Sequence, residues 1–200
     1  MKEALILFVR TPEKGKVKTR IAAIAGDDAA LEIYQRLLQH TQQITAPLSC
    51  DKYVFYADRI ETDDLWNGYN KQLQPGTDLG NRMLAAFSCL FKKGYQRVCI
   101  IGSDCYDLST TIIEQAFTEL SKTDLVIGPA NDGGYYLLGM KDGVKDIFQG
   151  IAWSTEKVLE QTIAQITASG FGYSLLPVLS DVDTAADVPE QWKEVLAFKF

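Results

Sequence analysis

The sequence predicts an α/β fold built on a mostly parallel central sheet flanked by helices, and three observations carry that reading. Ala4 to Val9 (ALILFV) is a continuous apolar run bounded by charge, which suits a strand covered on both faces. Similar short runs recur along the chain, separated by stretches with helical spacing. The loops that follow the runs hold most of the chemistry-bearing residues. In open α/β sheets ligands bind beyond the carboxyl ends of the strands, so such loops converge on one site.

The elements follow in order. After the first strand and a short helix within KTRIAAIA, Leu31, Tyr34, Leu37, Leu38 and Ile44 mark an amphipathic helix over Ala29 to Ile44. Tyr53 to Ala57 reads as the second strand. Leu79, Met83, Ala86, Phe87, Leu90 and Phe91 define a further helix, stopped by Gly94. Arg97 to Ile101 is a strand, Thr110 to Leu120 a helix and Asp124 to Gly128 a strand. Tyr135 to Met140 is another strand, parallel or antiparallel. Ser154 is placed to cap a helix ending near Ser169, Tyr173 to Val178 forms a final strand, and Thr184 with Asp187 makes a capping-box-like start to a last helix.

Composition narrows the function classes. With 200 residues, 46% of them hydrophobic, the chain has the material for one domain spanning residues 1–200. The formal net charge of -6 argues against nucleic acid or an anionic membrane as a partner, because the average surface repels both. No stretch reaches the length of a membrane span, and ALILFV is too short for a signal-peptide core, so a soluble cytoplasmic protein is expected. Cys50, Cys89, Cys99 and Cys105 form no C-x-x-C pair and read as reduced thiols. The single His40 lies in a helical pattern, where packing is the expected role.

Against this acidic background TPEKGKVKTR gathers Lys14, Lys16, Lys18 and Arg20 just behind Arg10. A flexible glycine, a following helix start and these cations suit phosphate, with Lys18 as a point charge and Arg20 as a bidentate fork. The spacing is not that of a P-loop. Lys14 and Lys16 are expected to steer ligands without touching them. In IGSDCYDL, Asp104 and Asp107 follow a strand, where carboxylates can hold Mg²⁺ or Mn²⁺ against a diphosphate. Asp107 can equally cap the next helix. In SDVDT, alternation puts Asp181 and Asp183 on one side, where they can complete a metal shell. That stretch resembles the nucleophile loop of haloacid-dehalogenase phosphatases, but Ala185 stands where that loop has Thr or Val and too little chain follows. In GPANDGGYY, Gly133 and Gly134 after Asp132 allow close approach to a substrate.

Taken together, KVKTRIA, TDLGNRM, IGSDCYDL, GPANDGGYYLLG, IAWST and DVDTAAD resemble, in that order, the small bacterial glycosyltransferases of the DUF2064 type. These have the Rossmann-like GT-A (nucleotide-diphospho-sugar transferase-like) fold and are distantly similar to the molybdopterin and phospholactate guanylyltransferases. The resemblance implies a nucleotide or nucleotide-sugar substrate with a small-molecule acceptor and a divalent metal, Mg²⁺ or Mn²⁺. It implies nucleotide contacts from Arg10, Lys18, Thr19, Arg20, Asp78, Gly80 and Arg82, and metal ligation by Asp104 with Asp181 or Asp183. Asp132 joins Asp104 as a catalytic candidate, and Gly133, Gly134, Trp153 and Ser154 would line the acceptor or sugar pocket. Many relatives carry proline where this chain has Tyr106, so the metal loop is expected to differ in stiffness. Sugar transfer leads; joining a nucleoside triphosphate to a phosphorylated small molecule is the alternative, and a non-catalytic nucleotide-binding module the third reading.

Overall fold

In the computed structural model, which describes residues 1–144 and 147–197, the first apolar run forms strand β1 (Glu3–Val9). Its side chains alternate between two cores: Leu5, Leu7 and Val9 enter one, Ala4 and Ile6 the other. That double burial makes β1 an interior strand of the sheet, between β2 and β4. Helix α1 (Thr19–Ala25) and helix α2 (Asp27–Thr45) follow, then strand β2 (Asp51–Tyr56) and a short strand β3 (Asn70–Leu73). Helix α3 (Leu79–Lys92), strand β4 (Arg97–Ile101), helix α4 (Thr110–Glu119) and strands β5 (Leu125–Pro129) and β6 (Tyr135–Lys141) come next. Helix α5 (Val158–Ala168), strand β7 (Tyr173–Leu175) and a 3₁₀ helix (Glu190–Ala197) complete the described chain.

The seven strands lie in the order β3-β2-β1-β4-β6-β5-β7. All neighbouring pairs are parallel except those of β6, which runs antiparallel between β4 and β5. Helices α2 and α4 cover one face through Tyr34, Leu38, Ile113, Ala116 and Phe117. Helices α3 and α5 cover the other through Met83, Ala86, Phe87, Leu90 and Ile166. The prediction of an α/β fold with a mostly parallel sheet between helices therefore holds.

Local chemistry explains most boundaries. Asp78 caps α3 by accepting from the Asn81 backbone N–H at 2.9 Å, and Gly94, at φ 82°, turns the chain just beyond its end. Ser109 rather than Asp107 caps α4, accepting from the Ile112 backbone N–H at 3.4 Å.

Three sequence expectations need correction. Ser154 does not cap α5: it has φ 63°, and Lys157 occupies the cap position without a side-chain bond. Asp187 does bond Thr184, through both its backbone N–H and its hydroxyl at 2.7 Å, but the pair closes a turn and the 3₁₀ helix begins only at Glu190. The final strand stops at Leu175, and a single bridge between Ala130 and Leu179 replaces the rest.

Candidate active site

The carboxyl ends of β1, β2 and β4 open onto a cavity of about 660 Å³, lined by Arg10, Lys16, Lys18, Thr19, Arg20, Arg82, Asp104 and Asp183 among others. Lys18 is its electrostatic centre. The side chain is only 7% exposed, and its Nζ lies 2.7 Å from Asp104 Oδ1 and 3.2 Å from Asp183 Oδ1. Its backbone, at φ 46° and ψ 48°, is left-handed directly before α1, a conformation that costs a non-glycine residue about 1 kcal/mol. Arg20 reaches the same carboxylate more loosely, at 3.8 Å, and is largely exposed.

Two loops are fastened together beneath this ion pair. The Val182 backbone N–H donates to the Asp104 carbonyl at 2.8 Å, and Val182 itself is buried. It joins a third apolar cluster with Ile21 of α1, Ile33 and Leu37 of α2, and Val188 and Val195 near the C-terminus. Tyr106 packs onto this cluster, edge-on to Trp192 at 4.7 Å and beside His40 at 4.8 Å. The Gln191 amide donates to the Tyr106 hydroxyl. Tyr106 thus anchors the metal-candidate loop by an aromatic contact. The His40 Nε2–H donates to the Leu108 carbonyl at 3.1 Å, and the ring has the packing role expected of it.

Negative charge accumulates around Asp181. Burial raises its carboxyl to about 7, and the neighbouring Asp104, Asp132 and Asp183 carboxylates push in the same direction. The four acids therefore share one electrostatic neighbourhood, although Asp132 and Asp181 stand outside the cavity wall. Among the described residues no group of three or more His, Cys, Asp or Glu side chains is spaced to hold a metal ion. The predicted trio Asp104, Asp181 and Asp183 is thus not a ready-made cage, because the Lys18 ammonium is drawn in between two of them.

The remaining candidates divide. Arg10, Lys18, Thr19, Arg20 and Arg82 line the cavity, whereas Asp78 and Gly80 do not. Asp78 serves as a helix cap, and the Asn81 backbone N–H holds its carboxyl below the usual range. Gly80 lets Trp153 lie against α3; a Cβ there would stand 2.5 Å from the indole. Gly133, Gly134, Trp153 and Ser154 are also off the cavity wall. Gly133, at φ 85°, carries the Glu156 carbonyl where a Cβ would be, 2.1 Å away, and its own carbonyl accepts from the Leu159 N–H. The Gly134 N–H donates to Asp132 Oδ1 at 2.9 Å, which fixes the Asp132 turn. Lys14 pairs with exposed Asp28 and Lys16 with Glu13, yet Lys16 does line the cavity, so only Lys14 keeps the expected remote position.

Tyr34 and Gln74 escaped the sequence reading. The Tyr34 hydroxyl accepts from the Arg10 N–H at 2.8 Å and donates to the Arg10 carbonyl at 3.0 Å, pinning the start of the basic loop. Burial pushes its hydroxyl up to about 12. Its place in the apolar stripe of α2 disguised it as core. Gln74 follows a polar edge strand and carried no signal.

The family model described as "Uncharacterized protein conserved in bacteria (DUF2064)" matches residues 38–155. The chain belongs to this family. A crystal structure from Desulfovibrio desulfuricans G20, of a protein provisionally named a nucleotide-diphospho-sugar transferase, is 35% identical. Its TM-score is 0.87, with 94% of this chain and 85% of that one covered. The 4-diphosphocytidyl-2C-methyl-D-erythritol synthase of Anaerococcus prevotii DSM 20548 shares the fold at 9% identity and TM-score 0.61, covering 98% of this chain and 96% of its own. The inositol-1-phosphate CTP transferase of T. maritima does so at 12% and 0.52, covering 98% and 95%. No curated protein sequence matches the chain. This DUF2064 protein accordingly has the nucleotide-diphospho-sugar transferase-like fold.

Proposed function

We propose that this transferase passes a sugar from a nucleoside-diphosphate donor to a small-molecule acceptor, with the diphosphate held at the Lys18 end of the cavity. The observation that supports this most is the buried Lys18 ammonium between Asp104 and Asp183, backed by Arg20 and Arg10 on the same wall. A cation shielded from water, as Lys18 is, interacts more strongly with a phosphate than a solvated one does. The leaving diphosphate gains charge as the glycosidic bond breaks, so Lys18 and Arg20 stabilise the transition state more than the ground state.

Asp104, Asp181 and Asp183 suit a divalent cation in chemical type, since hard cations take carboxylate oxygens and share phosphate oxygens. Burial first, and then the Asp104, Asp132 and Asp183 carboxylates, raise the Asp181 carboxyl, and a cation among them would offset that crowding of negative charge. Mg²⁺ or Mn²⁺ held there, with phosphate completing its shell, would supply further charge neutralisation on the leaving group. Asp132, held by the Gly134 N–H in the same acidic neighbourhood, would orient or deprotonate an acceptor hydroxyl.

The test is incubation with labelled UDP-glucose or GDP-mannose plus Mn²⁺, against GTP plus a phospho-acid. Release of nucleoside diphosphate from the sugar donor supports sugar transfer. Pyrophosphate released only from the triphosphate mixture would instead assign nucleotidyl transfer to the same site.

A further inference from the structure

Resting on the reading of this cavity as a nucleotide site, we infer that Arg82 selects a base carrying a carbonyl where adenine and cytosine carry an amino group. Strand order gives the cavity two ends. Asp104 and Lys18 lie beyond β4, whereas Gln74 follows β3 and reaches across the ends of β2 and β1, donating to the Phe55 carbonyl at 2.9 Å and the Val9 carbonyl at 3.4 Å. With phosphates at the Lys18 end, the base belongs at the Gln74 end.

That end is apolar on its faces and offers donors at its edge. Leu79 and Met83, which flank Arg82 on α3, line the cavity there, and Leu79 is 43% exposed, an apolar surface left open at the cavity wall. Such a slot suits a flat ring. The backbone nearby is already committed: the Val9 carbonyl accepts from the Ala57 N–H, the Tyr56 carbonyl from the Gln74 N–H, and both polar groups of Arg10 are bound to Tyr34. The Gln74 amide donates to backbone, and its oxygen accepts from Arg82 Nη1 at 3.3 Å. Arg82 Nε donates to the Gly76 carbonyl at 3.4 Å. Among the described residues nothing accepts from Arg82 Nη2.

The cavity edge at Arg82 is therefore a guanidinium with donors to spare. Guanine offers O6 and N7 to such a fork and uracil offers O4, whereas the amino groups of adenine and cytosine would meet donor with donor. Isothermal titration of the full chain with GDP, UDP, ADP and CDP, each with Mn²⁺, tests this. IDP is a fifth probe, since it keeps O6 and N7 without the 2-amino group.

GDP with IDP, or UDP, should bind at least about tenfold tighter than ADP and CDP, and which of them wins names the base. Arg82→Ala, its fold checked by circular dichroism, should shrink that ratio to about twofold, and Arg82→Lys should keep only part of it. ADP or CDP binding equally well overturns the inference and leaves the nucleotide site standing. So does an Arg82→Ala protein with the ratio intact. Failure of every nucleotide to bind overturns both readings.

Discussion

Lys18 shows how much one residue can carry. Its left-handed backbone and buried ammonium bring the basic loop against two acidic ones, which are themselves fastened by the Val182 N–H to Asp104 carbonyl bond. Asp104→Asn should remove activity by at least about a hundredfold while the thermal midpoint stays within a few degrees, because Asp104 is partly exposed and its loop is held by backbone and packing. Retained turnover would take Asp104 out of the chemistry. Asp181 makes a prediction of opposite kind. Its folded carboxyl titrates near 7, above its unfolded value, so the native state keeps a proton that the unfolded chain releases. Stability from this group is full below about pH 4 and is lost as the pH rises through 7. In EDTA, Asp181→Asn should be more stable than the parent by roughly 4 kcal/mol at pH 8 and about equal to it near pH 4, as read from urea midpoints. That these acids would share one neighbourhood was legible in sequence, because each was expected beyond a strand end. That Lys18 would lie between Asp104 and Asp183 was not, since 165 positions separate it from the latter.

Among the elements, legibility followed burial. Strand β1 and helices α2 and α3 were readable because each packs an unambiguous apolar face. Strand β3 was not: Asn-Lys-Gln-Leu is a four-residue edge strand, exposed or half-buried throughout, held by backbone bonds to β2 that leave no hydrophobic pattern. Residues 152–157 were misread as a helix start because Ser154 has a capping side chain; its positive φ and the contact of Glu156 with Gly133 make a tight loop there instead. Gly133→Ala should therefore cost more than about 2 kcal/mol, since a Cβ both strains the backbone and strikes the Glu156 carbonyl. A urea midpoint matching the parent would show that this loop gives way freely. The 3₁₀ helix makes its own prediction through Tyr106. Trp192→Ala removes the edge-on ring and should cost on the order of 2 kcal/mol, together with a drop in nucleotide affinity as the Asp104 loop loosens. Nucleotide affinity unchanged by that loss would separate the aromatic contact from the site.

At the scale of the whole molecule, an acidic chain gathers Arg10, Lys16, Lys18, Arg20 and Arg82 where three strand ends meet, a local excess of the sign that the proposed diphosphate requires. Helix α1, helix α2, the Asp181–Asp183 loop and the C-terminal turn share one apolar cluster, so the site rests on packing between distant parts of the chain. Lys18 ties the Asp181–Asp183 loop to the Asp104 loop through both carboxylates, so the proposed site stands or falls with this residue. The most direct test is isothermal titration of GDP or UDP with Mn²⁺ into the parent protein and into Lys18→Met. The account predicts saturable one-to-one binding to the parent, weakened at least about thirtyfold in the variant, the loss of a water-shielded cation on phosphate. Equal affinity in the two proteins, or no binding to the parent, would contradict it.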